Sequence, residues 1–236
     1  MAVYVIGDLH LSFGTDKPMD IFGEKWNNHV ARFLDGFSVV KEEDTVILAG
    51  DISWGISLDE ALEDFLFLEK LPGKKLLVKG NHDYWWETVG KTTRFFRENG
   101  IQSIEILHNN SILADGIAVC GTRGWFFEED RGEHSEKIYK RELGRLESSL
   151  IAGQKLHAED LVAVMHYPPI CVGFECKEMT EMLADYHVSR CFYGHLHGPS
   201  HSFAFNGIHK GVEYRLIAGD YLGFCPELVG KADAFY

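Results

Sequence analysis

A mixed α/β layered fold is what this sequence predicts. Three observations carry the prediction. Short, β-rich apolar runs end in glycine or polar residues, helical patterns separate the early ones, and several runs are apolar throughout rather than alternating. Continuous apolar strands point to sheets covered on both faces.

Taken in order, Val3–Ile6, Thr45–Ala49, Lys75–Val78, Leu161–Met165 and Cys191–Tyr193 are the strongest strand candidates. Ile104–Leu107, Ser111–Ala114, Ile117–Cys120, Ser202–Phe205 and Glu213–Ala218 carry weaker patterns. Ser57-Leu58-Asp59-Glu60 fits a capping box, in which side chains satisfy the free N–H groups of a helix start. Leu58, Ala61, Leu62, Phe65 and Leu68 follow at helical spacing. Helices are also expected over Glu24–Asp35, Glu87–Glu98, Glu133–Leu150 and Cys176–Asp185. With no internal repeat and no Pro/Ser-rich linker, residues 1–236 are expected to form a single domain, with a helical insertion around 124–150.

Charge narrows the partners. The net charge of −13 repels a phosphate backbone at long range, so nucleic acid is a poor first guess and a small molecule a better one. The sequence opens without a basic leader and holds no apolar run of membrane-spanning length, so a cytoplasmic protein without a membrane anchor is expected. Five scattered cysteines suggest reduced thiols. The Cys171-x4-Cys176 spacing is a weak zinc signal with no second pair beside it, and packed thiols are its plainer reading. Composition says nothing of the oligomeric state.

Five apolar runs end in groups able to hold a metal. Val3–Gly7 leads to Asp8-Leu9-His10, and Thr45–Gly50 leads to Asp51. Leu76–Gly80 leads to Asn81-His82-Asp83, Leu161–Met165 to His166, and Cys191–Gly194 to His195-Leu196-His197. Singly, each is an ordinary turn or loop residue. In open α/β sheets, however, ligands bind beyond the carboxyl ends of the strands, where five such ends can meet. Residues i and i+2 of an extended chain share a side, so Asp8 with His10, and His195 with His197, can face one site. Glycine before Asp51, Asn81 and His195 permits sharp turns and close approach. Imidazole, amide and carboxylate donors together suit manganese, iron or zinc better than calcium or magnesium.

The series D-x-H, G-D, G-N-H-D, H and G-H-x-H resembles the calcineurin-like metallophosphoesterases over residues 8–197. The resemblance implies a β-sandwich of two mixed sheets flanked by helices, four layers in the order α/β/β/α. It also implies two metal ions, manganese before iron or zinc. Asp8, His10, Asp51 and His197 would hold one, and Asp51, Asn81, His166 and His195 the other, with Asp51 bridging. A metal-bridging hydroxide would attack phosphorus in a phosphomonoester or phosphodiester. His82, one residue after Asn81, is the candidate general acid. Asp83 either orients His82 or ties down the loop, the second being the simpler role.

One departure narrows the substrate. Family members acting on phosphoproteins extend the second block to G-D-x-x-D-R-G, whereas this chain reads Gly50-Asp51-Ile52-Ser53-Trp54-Gly55. A small-molecule ester is therefore favoured. Arg123, after a probable strand, is a candidate contact for substrate phosphate. Arg131, Lys137, Lys140, Arg141 and Arg145 follow on a helix and read first as a solvated face. Tyr84-Trp85-Trp86 is either an aromatic wall or core. His29, His108, His134, His157, His187, His201 and His209 match no block and read as surface or structural. The competing functions are a catalytically weak scaffold or binding module on the same fold, and a nuclease. A scaffold would be expected to lose metal-ligand histidines, and a nuclease to carry a basic groove.

Overall fold

A computed structural model describes residues 1–125 and 132–229, the side chains of 132–134 excepted. Arg131, His134 and residues 230–236, the end of the C-terminal stretch, lie outside what is described.

Two sheets form the centre. The first holds β1 (Val3–Ile6), β2 (Thr45–Ala49), β3 (Lys74–Val78), β4 (Ile104–Ile106) and β13 (Glu227–Leu228), in the order β13-β1-β2-β3-β4. The second holds β5 (Ser111–Ala114), β6 (Ile117–Thr122), β7 (Asp160–Met165), β10 (Arg190–Tyr193), β11 (Gly207–His209) and β12 (Val212–Leu216), in the order β11-β12-β10-β7-β6-β5. Inner strands run parallel and the edges β13, β11 and β5 pair antiparallel, so both sheets are mixed. Two short strands, β8 (Ile170–Cys171) and β9 (Phe174–Glu175), form a separate hairpin.

The layering follows from the period-2 alternation of strand side chains. Ile47 and Ala49 of β2 join Val3, Val5, Leu76 and Val78 in a core shared with Val119, Val162, Val164 and Phe192 of the second sheet. Val46 and Leu48 face the other way, onto Phe33, Phe37, Phe65 and Phe96. Ala163, Met165, Cys191 and Tyr193 face outward from the second sheet onto Leu146, Leu150, Met179 and Leu183. The helices supplying those side chains are α1 (His29–Phe37), α2 (Leu62–Glu69), α3 (Val89–Glu98), α4 (Gly132–Gln154) and α5 (Lys177–Asp185). The result is the expected α/β/β/α order.

Four expected elements differ. The helix expected over Glu24–Asp35 breaks, because Asn28 adopts a left-handed conformation (φ 52°) that asparagine tolerates; α1 begins only after it. Ser202–Phe205 is not a strand but the end of a 3₁₀ helix, Gly198–Phe203, started by Pro199. The helix expected as an insertion around 124–150 is α4, which serves as the crossover that parallel neighbours β6 and β7 require. The helix expected from Ser57 also starts late: the Glu60 N–H donates to Ser57 Oγ (3.3 Å) and the Ile56 N–H to Glu60 Oε2 (2.9 Å), but residues 58–61 form a turn and α2 begins only at Leu62, with no side-chain cap.

Candidate metal centre

The parallel inner strands of each sheet deliver their carboxyl ends to one rim, and the Gly7 N–H joins the sheets there by donating to the Ile217 carbonyl (2.8 Å). Asp8 accepts the His195 N–H at 3.2 Å on Oδ1 and 3.1 Å on Oδ2. Asp8 Oδ1 lies 3.3 Å from His197 Nε2 and 3.8 Å from His166 Nδ1. Asp51 Oδ2 lies 3.7 Å from His10 Nε2 and 3.5 Å from His166 Nε2, while Oδ1 accepts the His82 N–H at 2.7 Å. Asn81 Oδ1 lies 2.6 Å from His166 Nε2 and 2.8 Å from His195 Nδ1. All seven candidate ligands thus share one cleft. Two groups emerge, Asp8/His10/His197 and Asn81/His166/His195, with the Asp51 carboxylate between them.

Backbone strain concentrates here. Asp8 (φ 59°), His10 (φ 46°), Asp51 (φ 50°) and His195 (φ 74°) all sit in the left-handed region, a cost that gathers at functional sites. Two of the glycines are explained by close approach: a Cβ at Gly80 would collide with the Asp51 carboxylate, and one at Gly194 with that of Asp8.

The donors fit a divalent cation. One nitrogen, oxygen or carboxylate atom from each of Asp8, His10, Asp51 and His197 falls within 4.8 Å of the others. His10 Nδ1 and His197 Nε2 are buried without a hydrogen-bond partner. Two facing buried carboxylates call for positive charge between them. Burial, then the neighbouring Asp8 charge, pushes Asp51 up to about 8. Burial works against protonating His197, yet the carboxylates of Asp8 and Asp220 overcome it and lift the imidazole to about 10.

Asp220 is a residue that sequence reasoning missed. It follows β12, and its Oδ1 accepts from His197 Nδ1 (2.9 Å) and lies 3.2 Å from His201 Nε2. A carboxylate on Nδ1 fixes the tautomer and turns Nε2 toward the cluster, the usual arrangement behind a metal-ligating histidine. Gly219-Asp220 repeats the Gly-Asp pairing of Gly50-Asp51 after a strand, the one signal that could have found it. His201, read as surface or structural from sequence, is therefore part of the site's surroundings.

Asp83 takes the anchoring role. Its Oδ2 accepts the N–H groups of Gly80 (2.7 Å) and Asp51 (3.0 Å), and its Oδ1 accepts those of Ile52 (2.8 Å) and the Trp85 indole (3.0 Å). These bonds tie the second and third motif blocks together and leave nothing directed at His82. A direct catalytic role for Asp83 is accordingly replaced by a positioning one. His82 is half-buried, its ring 4.7 Å from Trp54 and 5.8 Å from His10. Burial, and then the nearby imidazoles of His166 and His197, hold it below its usual range. Tyr84 Oη lies 3.4 Å from its Nδ1.

Two other sequence readings are decided here. Of wall or core for Tyr84-Trp85-Trp86, core holds for Trp85, which is buried, while Trp86 lies beside Lys79 and His108 and Tyr84 beside His82. The aromatic surface over the centre is instead Trp54, stacked on His10 (4.9 Å, 28°), and Trp26, edge-on to His10 (5.5 Å) and His197 (5.4 Å). With Met19 and Phe22 they line a pocket of about 490 Å³ that opens onto His10, His82 and His197. Arg123 stands apart from the cluster, paired with Glu142 (3.7 Å) and stacked on Trp125 (5.0 Å), so a direct contact with phosphate at the cluster is not what its position favours.

Comparison with known proteins agrees with this geometry. No curated protein gives a significant match. A solved structure of a protein of unknown function from Aquifex aeolicus superposes with a TM-score of 0.52 at 15% identity, covering 96% of this chain and 95% of that one, which speaks for the fold alone. No helix among the described residues is long and apolar enough to cross a membrane. The calcineurin-like phosphoesterase family matches residues 1–199, the stretch that contains every motif block, and the chain belongs to that family.

Proposed function

We propose that this protein hydrolyses phosphoesters of small-molecule alcohols at a two-cation centre built on Asp51. The observation that carries the reading is the Asp51 carboxylate, which stands between Asp8/His10/His197 and Asn81/His166/His195 with Oδ2 within 3.7 Å of both His10 and His166. Cations held there would neutralise phosphoryl oxygens and lower the pKa of a bound water.

The chain's own residues do the rest. Asp83 holds the Asp51 and Asn81 loops in register through backbone N–H groups. Asp220 aims His197. His82 faces the pocket into which an alcohol would leave, and it delivers the proton that the departing oxygen needs. Among the described residues its ring has no carboxylate partner, since Trp54 stands where the phosphoprotein-phosphatase pattern has its second aspartate. Met19, Phe22, Trp26 and Trp54 suit a flat or apolar leaving group over a phosphopeptide.

The test is turnover of p-nitrophenyl phosphate and bis(p-nitrophenyl) phosphate by protein supplied with Mn²⁺, Fe²⁺ or Zn²⁺. Hydrolysis of at least one ester, lost on chelation and restored by metal, is expected. Inactivity on both with all three metals would leave a binding module on the same fold.

A further inference from the structure

A second feature lies on the same rim, on the Asn81 side. Lys79 follows β3 and precedes the Gly80-Asn81 turn. Arg123 follows β6, and its carbonyl accepts the N–H of Tyr167 (2.8 Å), the residue after His166. The Tyr167 ring in turn lies 4.4 Å from that of His195. Helix α4 carries Arg141 and Arg145 to this place, and His108, after β4, closes it. With Trp86 these groups line a cleft of about 500 Å³.

The charge of this cleft runs against that of the molecule. The chain has 36 acidic and 23 basic residues. Here Lys79, Arg123, Arg141 and Arg145 line one cleft, with the buried carboxylate of Glu142 behind Arg123 and Arg145. Glu142 is already engaged: it accepts from Thr122 Oγ1 (2.7 Å) and Arg145 Nη1 (2.5 Å), with Arg123 Nη2 at 3.7 Å. The other acid at the cleft, Glu87, pairs with Lys91 (3.3 Å). Arg123 Nε is buried without a hydrogen-bond partner. Arg141 is exposed, and no side chain among the described residues pairs with it. Like charges held together at this density leave a deficit of anion.

A solvated helix face explains Lys140, which pairs with Glu136 (2.6 Å). It does not explain Arg141 and Arg145, which face Lys79 across a cleft. Several guanidinium forks and one ammonium converging on a pocket match the several acceptor oxygens of a phosphoryl group.

We propose that this cleft is a second phosphoryl-binding site, separate from the Asp51 centre and adjoining its Asn81/His166/His195 half. Building on the phosphoesterase reading, it takes the distal phosphate of a bis-phosphorylated substrate whose other phosphate lies at Asp51. A free phosphate has the same chemistry, and the experiment separates the two sources.

Metal-loaded protein is titrated with inorganic phosphate by calorimetry, alongside Arg141→Glu and, as a second variant, Arg145→Gln. Arg141 is exposed and unpaired, so reversing it should spare the fold. Two phosphates per chain are expected for the unaltered protein, with the second weakened about tenfold or more in Arg141→Glu. The second arm compares alkanediol bisphosphates of increasing length with the matching alkyl monophosphates. A kcat/KM ratio favouring the bisphosphate, falling toward one in Arg141→Glu, identifies a substrate tail. Two bound phosphates without such a ratio identify a free phosphate instead. A single phosphate per chain, bound equally by both variants, overturns the proposal, whatever the activity. Two bound phosphates with no turnover of any ester would leave the cleft standing and remove the phosphoesterase reading.

Discussion

The two flanks of the centre are built from opposite materials. On the His10/His197 side the pocket wall is Met19, Phe22, Trp26 and Trp54; on the Asn81/His166 side it is Lys79, Arg123, Arg141 and Arg145. An apolar wall gains from excluding water and is indifferent to salt, whereas a basic wall gains from charge and weakens as salt screens it. A molecule reaching across both would place an organic group on one flank, a scissile phosphoryl at Asp51 and further anionic charge on the other. The contrast gives one rim of the fold two physically independent surfaces, one that would hold a ligand by burial and one by charge.

The largest expected effect falls between the flanks. Asp51→Asn removes the shared carboxylate, so turnover of every phosphoester should fall about a thousandfold or more, together with metal content. Elemental analysis showing two metals retained at full turnover would undo the assignment. Next in size is His82→Ala, expected to lower kcat by about 10²-fold or more on alkyl phosphates and far less on p-nitrophenyl phosphate, whose leaving oxygen needs little protonation. Equal losses on both would remove His82 from proton transfer and leave it a lining residue of the apolar flank. Asp220→Asn comes third. It leaves both flanks untouched but lets the His197 ring turn, so metal affinity should weaken about 10- to 100-fold while activity at saturating Mn²⁺ largely returns. An unchanged metal affinity would show that Trp26 and His10 alone hold that imidazole.

How much of this was legible follows from how local each feature is. The five motif blocks were readable because each stands directly after an apolar strand, and strand ends of a parallel sheet converge. The outer edge strands and helix boundaries were less so, since Asn28 and Pro199 act through single-residue backbone preferences that override a longer pattern. Asp220 escaped because it has no histidine beside it and is tied to the site only through His197, 23 residues earlier. Tyr84-Trp85-Trp86 left two readings open for a geometric reason: adjacent residues Trp85 and Trp86 diverge, one into the core beneath Asp83 and the other toward Lys79. Trp54 reaches the centre from the second motif block itself, where the pattern drew attention to the aspartate it lacks rather than to the ring it carries, and Trp26 comes from a short 3₁₀ turn, Glu24–Trp26, that belongs to no block. The basic flank was only partly legible: Arg123 stood out after its strand, but Lys79 comes from the end of β3, and Arg141 and Arg145 sit on α4, where alternation with glutamates imitates a solvated face until the helix is docked on β6.

The smallest expected effect is also the sharpest comparison. Phe22 is 61% exposed and lines the apolar pocket, so Phe22→Ala removes contact area with little cost to the fold. Losing part of an aromatic contact worth about 0.5–1.5 kcal/mol beyond simple burial should raise KM for p-nitrophenyl phosphate about threefold to tenfold. It should leave KM for methyl phosphate, which has no ring to place there, essentially unchanged. Raising the salt concentration supplies the opposite control. At 1 M salt the screening length falls to about 3 Å, so a ligand held by Lys79 and Arg141 loses affinity while an aryl group held by Phe22 does not. If Phe22→Ala altered methyl and p-nitrophenyl esters alike, the loop would be acting on the centre itself through Trp26 and His10. The two flanks would then form one coupled surface rather than two separable ones.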